Sequence, residues 1–251
     1  MLKIENLTKI YQPGNVLALD NVSFEVPDGQ FLAVIGLSGS GKSTLLRCIN
    51  RLIEPTSGRI LLDGEDITAV NQEQMRRIRR RMGMVFQHFN LVSRSSVLTN
   101  VLAGRLGYVN PAWSLLNRFP KDDVEKAYRQ LERVGIADKA AQRADALSGG
   151  QQQRVGIARA LMQDPTLILA DEPVASLDPV LAHSIMKYLE DINEQDGVTV
   201  LCSLHFLDIV HRYADRVIAL NEGRLVFEGA PSEIDDRKFK EIYGRDAERV
   251  G

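Results

Sequence analysis

Short apolar runs bounded by glycine, proline and asparagine dominate the front of the chain, and they predict strands. Leu2 to Asn6, Val22 to Val26 and Phe31 to Ile35 each read as one, separated by the turn signals Pro13-Gly14-Asn15 and Pro27-Asp28-Gly29. Arg59 to Leu62 before Asp63-Gly64, and Met82 to Phe86 before Gln87, extend the series. From Ser95 to about Leu147 the spacing turns helical: Val124, Ala127, Tyr128, Leu131 and Val134 form one stripe, with Gly135 as the C-terminal stop. The β/α alternation then returns, with strands at Thr166 to Ala170, Thr199 to Ser203 and Arg216 to Leu220 and a helix from about Val180 to Glu194. Ser232 to Gly251 reads as a short charged helix at most.

The stretch Gly36-Leu37-Ser38-Gly39-Ser40-Gly41-Lys42-Ser43-Thr44 follows the apolar run Phe31 to Ile35 and precedes a helical start at Thr44-Leu45-Leu46. Strand, glycine loop and helix is the order that a phosphate-binding loop requires. Glycines let backbone N–H groups turn inward around phosphate oxygens, and the helix N-terminus adds partial positive charge. Lys42 supplies an ammonium and the Ser43 hydroxyl a ligand for Mg²⁺. A glycine turn that merely caps a helix would not need all these fixed positions.

Thr166 to Ala170 delivers Asp171 and Glu172 at its C-terminal end, where open α/β sheets hold ligands. Beside a phosphate loop, Asp171 would hold Mg²⁺ through water and Glu172 would face the attacking water as general base. Leu147-Ser148-Gly149-Gly150-Gln151 opens the helical run Gln152 to Leu161. Ser148 and Gln151 have the spacing of a capping box, which stability alone would justify. Two consecutive glycines need another reason, and they expose N–H groups at a helix start, a second anion site. One triphosphate held between two such sites implies two chains.

Composition narrows the partners. With 251 residues and 44% apolar content the chain can bury a full core. A net charge of −2 argues against general electrostatic binding of nucleic acid. Met75 to Arg81 holds five arginines in seven residues, read here as a solvated helix face. Its two cysteines, Cys48 and Cys202, read as core residues of a reducing compartment. Met1 to Asn6 shows no signal-peptide core, and no apolar run reaches the roughly 20 residues of a membrane span, so a peripheral protein in the cytosol is expected. The segment Gly104 to Pro120 is apolar and aromatic but broken by glycine and proline. It reads either as core or as a docking surface.

Phosphate loop, signature segment and acidic strand in this order resemble the ATP-binding cassette ATPases. The resemblance implies an α/β P-loop NTPase fold: a RecA-like core with an N-terminal antiparallel β subdomain and an inserted helical subdomain. Core and β subdomain would span residues 1–94 and 163–251, the helical part 95–162. It further assigns Tyr11 to adenine stacking, Gln87 to Mg²⁺ and the attacking water, Asp178 to the D-loop and His205 to the γ-phosphate. Ser148, Gly149, Gly150 and Gln151 would act on the ATP of a second copy, in a homodimer beneath two membrane-spanning permease subunits. A periplasmic or lipid-anchored binding protein would deliver cargo. Phe86 to Val92, the segment ending in Arg118-Phe119-Pro120 and Ala170 to Pro179 resemble the ATP-binding subunits of phosphonate importers. Phosphite, phosphate or amino acids are the alternative cargoes, and a soluble cassette acting on nucleic acid is the rival from another class.

Overall fold

A computed structural model describes residues 1–109 and 118–244. Residues 110–117, the middle of the segment read as core or docking surface, lie outside the described residues, as does the end of the charged tail. The chain divides into two compact units, Met1–Asn71 with Ile192–Gly251, and Gln72–Asp191.

In the first unit, β1 (Leu2–Tyr11), β2 (Val16–Val26), β4 (Ser57–Leu62) and β5 (Glu65–Asp66) form an antiparallel sheet in the order β2-β1-β4-β5. The expected strand at Leu2 to Asn6 therefore runs on to Tyr11. Asn6 is the reason it looked shorter. With φ 51 it sits at a register irregularity between Ile4 and Leu7, which changes the alternation so that Leu2, Ile4 and Leu7 are all buried. Gly58 accommodates the bulge, since a Cβ there would lie 2.4 Å from the Asn6 carbonyl oxygen. The second sheet of this unit centres on β3 (Phe31–Ile35), parallel to both β8 (Thr199–Ser203) and β9 (Arg216–Asn221), with β10 (Arg224–Gly229) antiparallel to β9. Every residue of β3 and β8 is buried, which is why both read as continuous apolar runs. Helix α1 (Lys42–Ile49) starts two residues before the expected Thr44. Burial pushes the Cys48 thiol on it up to about 12 and leaves it a packing residue.

The second unit holds the parallel pair β6 (Met82–Val85) and β7 (Leu167–Ala170) and the helices α2 (Gln72–Arg79), α3 (Val97–Leu102), α4 (Lys121–Arg133) and α5 (Gly149–Leu161). On α2 only Met75 and Ile78 are buried, and Arg76 and Arg77 are exposed as expected, but the helix ends at Arg79, and Arg79, Arg80 and Arg81 are half-buried, Arg80 lying over the Tyr108 ring. Helix α4 buries Ala127 and Leu131, but Tyr128 is exposed and the buried acid Asp123 takes part in the inner face instead. Asp123 accepts a hydrogen bond from Arg105 Nε at 2.8 Å. The stop at Gly135 has φ 66, with Gly135 N–H bonded to Glu132 O and Ile136 N–H to Leu131 O, the pairing of a Schellman cap. Helix α6 (Pro179–Asp196) and the two helices absent from the sequence reading or only outlined there, α7 (Leu207–Tyr213) and α8 (Asp236–Tyr243), are the remaining α-helices among the described residues.

The last turn of α5 is closed by cations, as the negative end of a helix favours. Arg105 and Lys126 donate to Met162 O at 3.4 and 3.1 Å, and the Tyr108 hydroxyl donates to Gln163 O at 2.9 Å. Gly104 lets this turn approach: a Cβ there would lie 2.2 Å from Arg159 O and 2.8 Å from Met162 Cβ. Gly104→Ala is expected to lose about 1–3 kcal/mol by overpacking. The melting temperature should fall by about 2–4 °C for each kcal/mol lost, whereas an unchanged value would mean that the turn and α5 separate freely.

Candidate functional site

The expected site residues fall in both units. In the first, β3 ends at Ile35 and the chain turns through Gly36, Leu37, Ser38, Gly39 and Ser40 to Gly41, which caps α1 with φ 105. Gly36 and Gly41 are required by contact as well as by conformation. A Cβ on Gly36 would lie 2.1 Å from Leu220 O, and one on Gly41 would lie 2.5 Å from Ala18 O. The loop is tied to the β9–β10 turn by Gly223 N–H, which donates to Ser40 O at 3.1 Å. Lys42 is only 3% exposed and folds back over the loop, its Nζ donating to Gly36 O at 2.7 Å and Leu37 O at 2.9 Å. No side chain caps the N-terminus of α1. Ser40 Oγ is buried without a hydrogen-bond partner.

Those features test whether the residues suit a polyphosphate. An uncapped helix start and an orphaned hydroxyl are each costly without a partner and each satisfied by an anion, and the Lys42 ammonium lies against the same loop. Ser43 and Thr44 lie in the first turn of the same helix. The Tyr11 hydroxyl reaches Thr44 Oγ1 at 3.2 Å, which places this ring at the edge of the loop. His205 follows β8, whose Ser203 pairs with Val34 of β3, and Leu204 N–H donates to Val34 O at 3.0 Å. The histidine and the glycine loop thus leave the sheet at the same end.

In the second unit, β6 and β7 run parallel with Val85 opposite Ala170, so Gln87 and the Asp171-Glu172 pair emerge together. Asp171 N–H donates to Val85 O at 2.9 Å, and the residue is fully buried. Glu172 has φ 48 although it precedes Pro173, a position that favours extended backbone. Such a conformation costs about 1–3 kcal/mol and persists where the surroundings over-determine it. Phe89 and Asn90, just past Gln87, are also left-handed, with φ 58 and 47. Arg159 of α5 donates to both of their carbonyl oxygens, at 2.9 and 2.6 Å. Burial lowers its pKa below the ordinary guanidinium value.

Helix α5 opens on Ser148, whose side chain accepts from Gln151 N–H at 3.4 Å while Gln151 Oε1 accepts from Ser148 N–H at 3.0 Å. The capping box is formed, and Gln151 is committed to it. A Cβ on Gly150 would press on Leu181 at 3.1 Å, whereas one on Gly149 would meet Phe89 and Leu177 only at 3.6 and 3.7 Å, ordinary contact. Packing within the chain therefore accounts for Gly150 and not for Gly149. Asp178 caps α6, its Oδ1 accepting from Val180 and Leu181 N–H at 3.1 and 3.0 Å, with Pro179 at the first helical position.

The family described as ABC transporter matches residues 19–175. This chain is a member of that family. The phosphonates import ATP-binding protein PhnC of Bdellovibrio bacteriovorus is 55% identical over 251 residues, covering 100% of this chain and 96% of the relative. The protein PhnC 3 of Halalkalibacterium halodurans is 51% identical over 245 residues, covering 98% and 95%. A solved dimeric ATP-binding cassette in a post-hydrolysis state, bound to ADP and Pi, is 34% identical with a TM-score of 0.82, covering 92% of this chain and 99% of that one. The fold is that of the ABC ATPase cassettes.

Within this cassette the sequence reading overlooked Arg159 and the left-handed residues it holds. The only local signal was an arginine on an otherwise apolar helix run, Val155 to Leu161. Tyr11 offers a direct test of the loop's edge. Tyr11→Ala is expected to weaken ATP more than inorganic triphosphate by about 0.5–1.5 kcal/mol, the range for one aromatic stack. Titration calorimetry with both ligands would read the difference, and equal losses would make Tyr11 a purely structural residue.

Proposed function

We propose that this cassette is the ATP-hydrolysing subunit of an importer that takes phosphonates across the cytoplasmic membrane. The observation that carries the reading is likeness along the full length of the chain to proteins named for phosphonate import. The polyphosphate-ready loop supports the ATPase part. Gly36 to Thr44 would hold the phosphates, with Lys42 exchanging its two carbonyl partners for phosphoryl oxygens and Tyr11 stacking on adenine. Ser43, Gln87 and Asp171 would hold Mg²⁺, which when bound neutralises charge on the phosphoryl oxygens. Glu172 would take a proton from the attacking water, and His205 would contact the γ-phosphate.

Ser148, Gly149, Gly150 and Gln151 would close over the nucleotide of a second copy, with Asp178 nearby on the D-loop. A half-buried glycine at 149 that packing within the chain does not require fits an approach from outside. The functional division is residues 1–94 and 163–251 as nucleotide-binding core with its β subdomain, and 95–162 as the helical signature part. Two permease subunits would span the membrane, since no helix among the described residues is long and apolar enough to do so. A cavity of about 180 Å³ lined by Val92, Ala103, Leu106 and Phe119 together with the polar Ser95, Thr99 and Asn100 offers a permease segment a seat. The cassette would lie on the cytoplasmic face, and a periplasmic or lipid-anchored protein would deliver cargo.

Glu172→Gln is expected to bind ATP, to form an ATP-dependent dimer by light scattering, and to lose hydrolysis by about 10²–10⁴-fold. Near-normal turnover would remove Glu172 as the base, and a strict monomer at high ATP would remove the shared site. For the cargo, a Lys42→Ala copy should abolish growth on an alkylphosphonate as sole phosphorus source and leave growth on orthophosphate intact. Loss on phosphite alone would keep the machine and change its substrate.

A further inference from the structure

Arg159 ties two functional segments of the cassette to one another. Its guanidinium forks between consecutive carbonyls, Nη1 to Asn90 O at 2.6 Å and Nη2 to Phe89 O at 2.9 Å. The same group lies 5.9 Å from the centroid of the Phe86 ring. Gln87 therefore sits between two points that Arg159 touches. Both accepting residues are left-handed, a conformation that phenylalanine rarely holds unaided. Further on, buried Asn100 fixes the end of the segment, its Oδ1 accepting from Val92 N–H at 2.7 Å and its Nδ2 donating to Val92 O at 3.1 Å. A planar fork suits two adjacent carbonyls in a way that a point-like ammonium does not. At about 1.5 Å per residue, the same rigid helix carries Ser148 to Gln151 about 15 Å away.

We propose that Arg159 is a positioning residue that sets the backbone around Gln87 and makes the Gln87 segment and helix α5 move as one body. Displacement of the segment at one nucleotide is thereby delivered to the Gly149 end of α5, which serves the nucleotide of the second copy. The inference rests on the roles proposed above for Gln87 and the signature residues. It adds the physical link between them. The shift need only be small, because two carbonyls gripped by a charged donor follow it as a unit.

The test uses the whole importer in lipid vesicles, with a binding protein loaded with methylphosphonate. ATP turnover is measured with and without the loaded binding protein, and hydrogen exchange is followed by peptide. Arg159→Met keeps the bulk and removes every donor. It should lower the stimulation of turnover by about 3- to 30-fold with ATP affinity unchanged, and should raise exchange in residues 86–92 but not along residues 149–158. Arg159→Lys should fall between this variant and the native protein, and it carries the same comparison if the methionine variant does not accumulate. Native stimulation in Arg159→Met would overturn the proposal. So would faster exchange throughout α5, which would make Arg159 a packing residue of the helix. A native complex whose turnover is indifferent to Glu172→Gln would instead remove the functional reading, and this inference with it.

Discussion

The first unit of this protein depends on backbone approaching backbone without a side chain between. Leu220 O, Ala18 O and the Gly223 N–H all crowd the loop from Gly36 to Gly41, and each comes from a different strand or turn. The loop is therefore a shape imposed by three neighbouring segments, with α1 projecting its uncapped N–H groups from a fixed origin. Lys42 fits this origin because its ammonium finds two carbonyl oxygens inside the loop.

The second unit solves a different problem with related means. Asp171 N–H bonds to Val85 O of the neighbouring strand, and Glu172 is held in a left-handed conformation that the following proline does not favour. Rigid surroundings keep the carboxylates where solution preferences would not. On α5 the division of labour is by residue: Ser148 and Gln151 secure the helix start, Gly150 makes room for Leu181, and Gly149 is not required by packing within the chain.

What could be read from the sequence was what depends on near neighbours in the chain. The β3–loop–α1 passage, the Ser148–Gln151 capping box and the Gly135 stop each lie within a few residues, and each has one physical meaning. The misread features depend on distant partners. The strand at Leu2 seemed to end at Asn6 because the bulge there breaks the alternation, and its accommodation by Gly58 is tertiary. Tyr128 fitted a helical stripe, but Asp123 took part in the inner face because Arg105 was available to pair with it. Arg159 drew no reading of its own, since nothing nearby in the chain indicates that its partners are the carbonyls of Phe89 and Asn90.

Gly149 has a consequence for how such a protein evolves and can be engineered. Alanine at this site would contact its neighbours at ordinary distances, and it would favour the helix by up to about 1 kcal/mol. Selection for heat resistance alone would welcome that change in an isolated chain. Under the role proposed for Gly149, only selection on paired chains would reject it, and thermostability screening of the monomer would then be a route by which this molecule becomes hardier while surrendering its work.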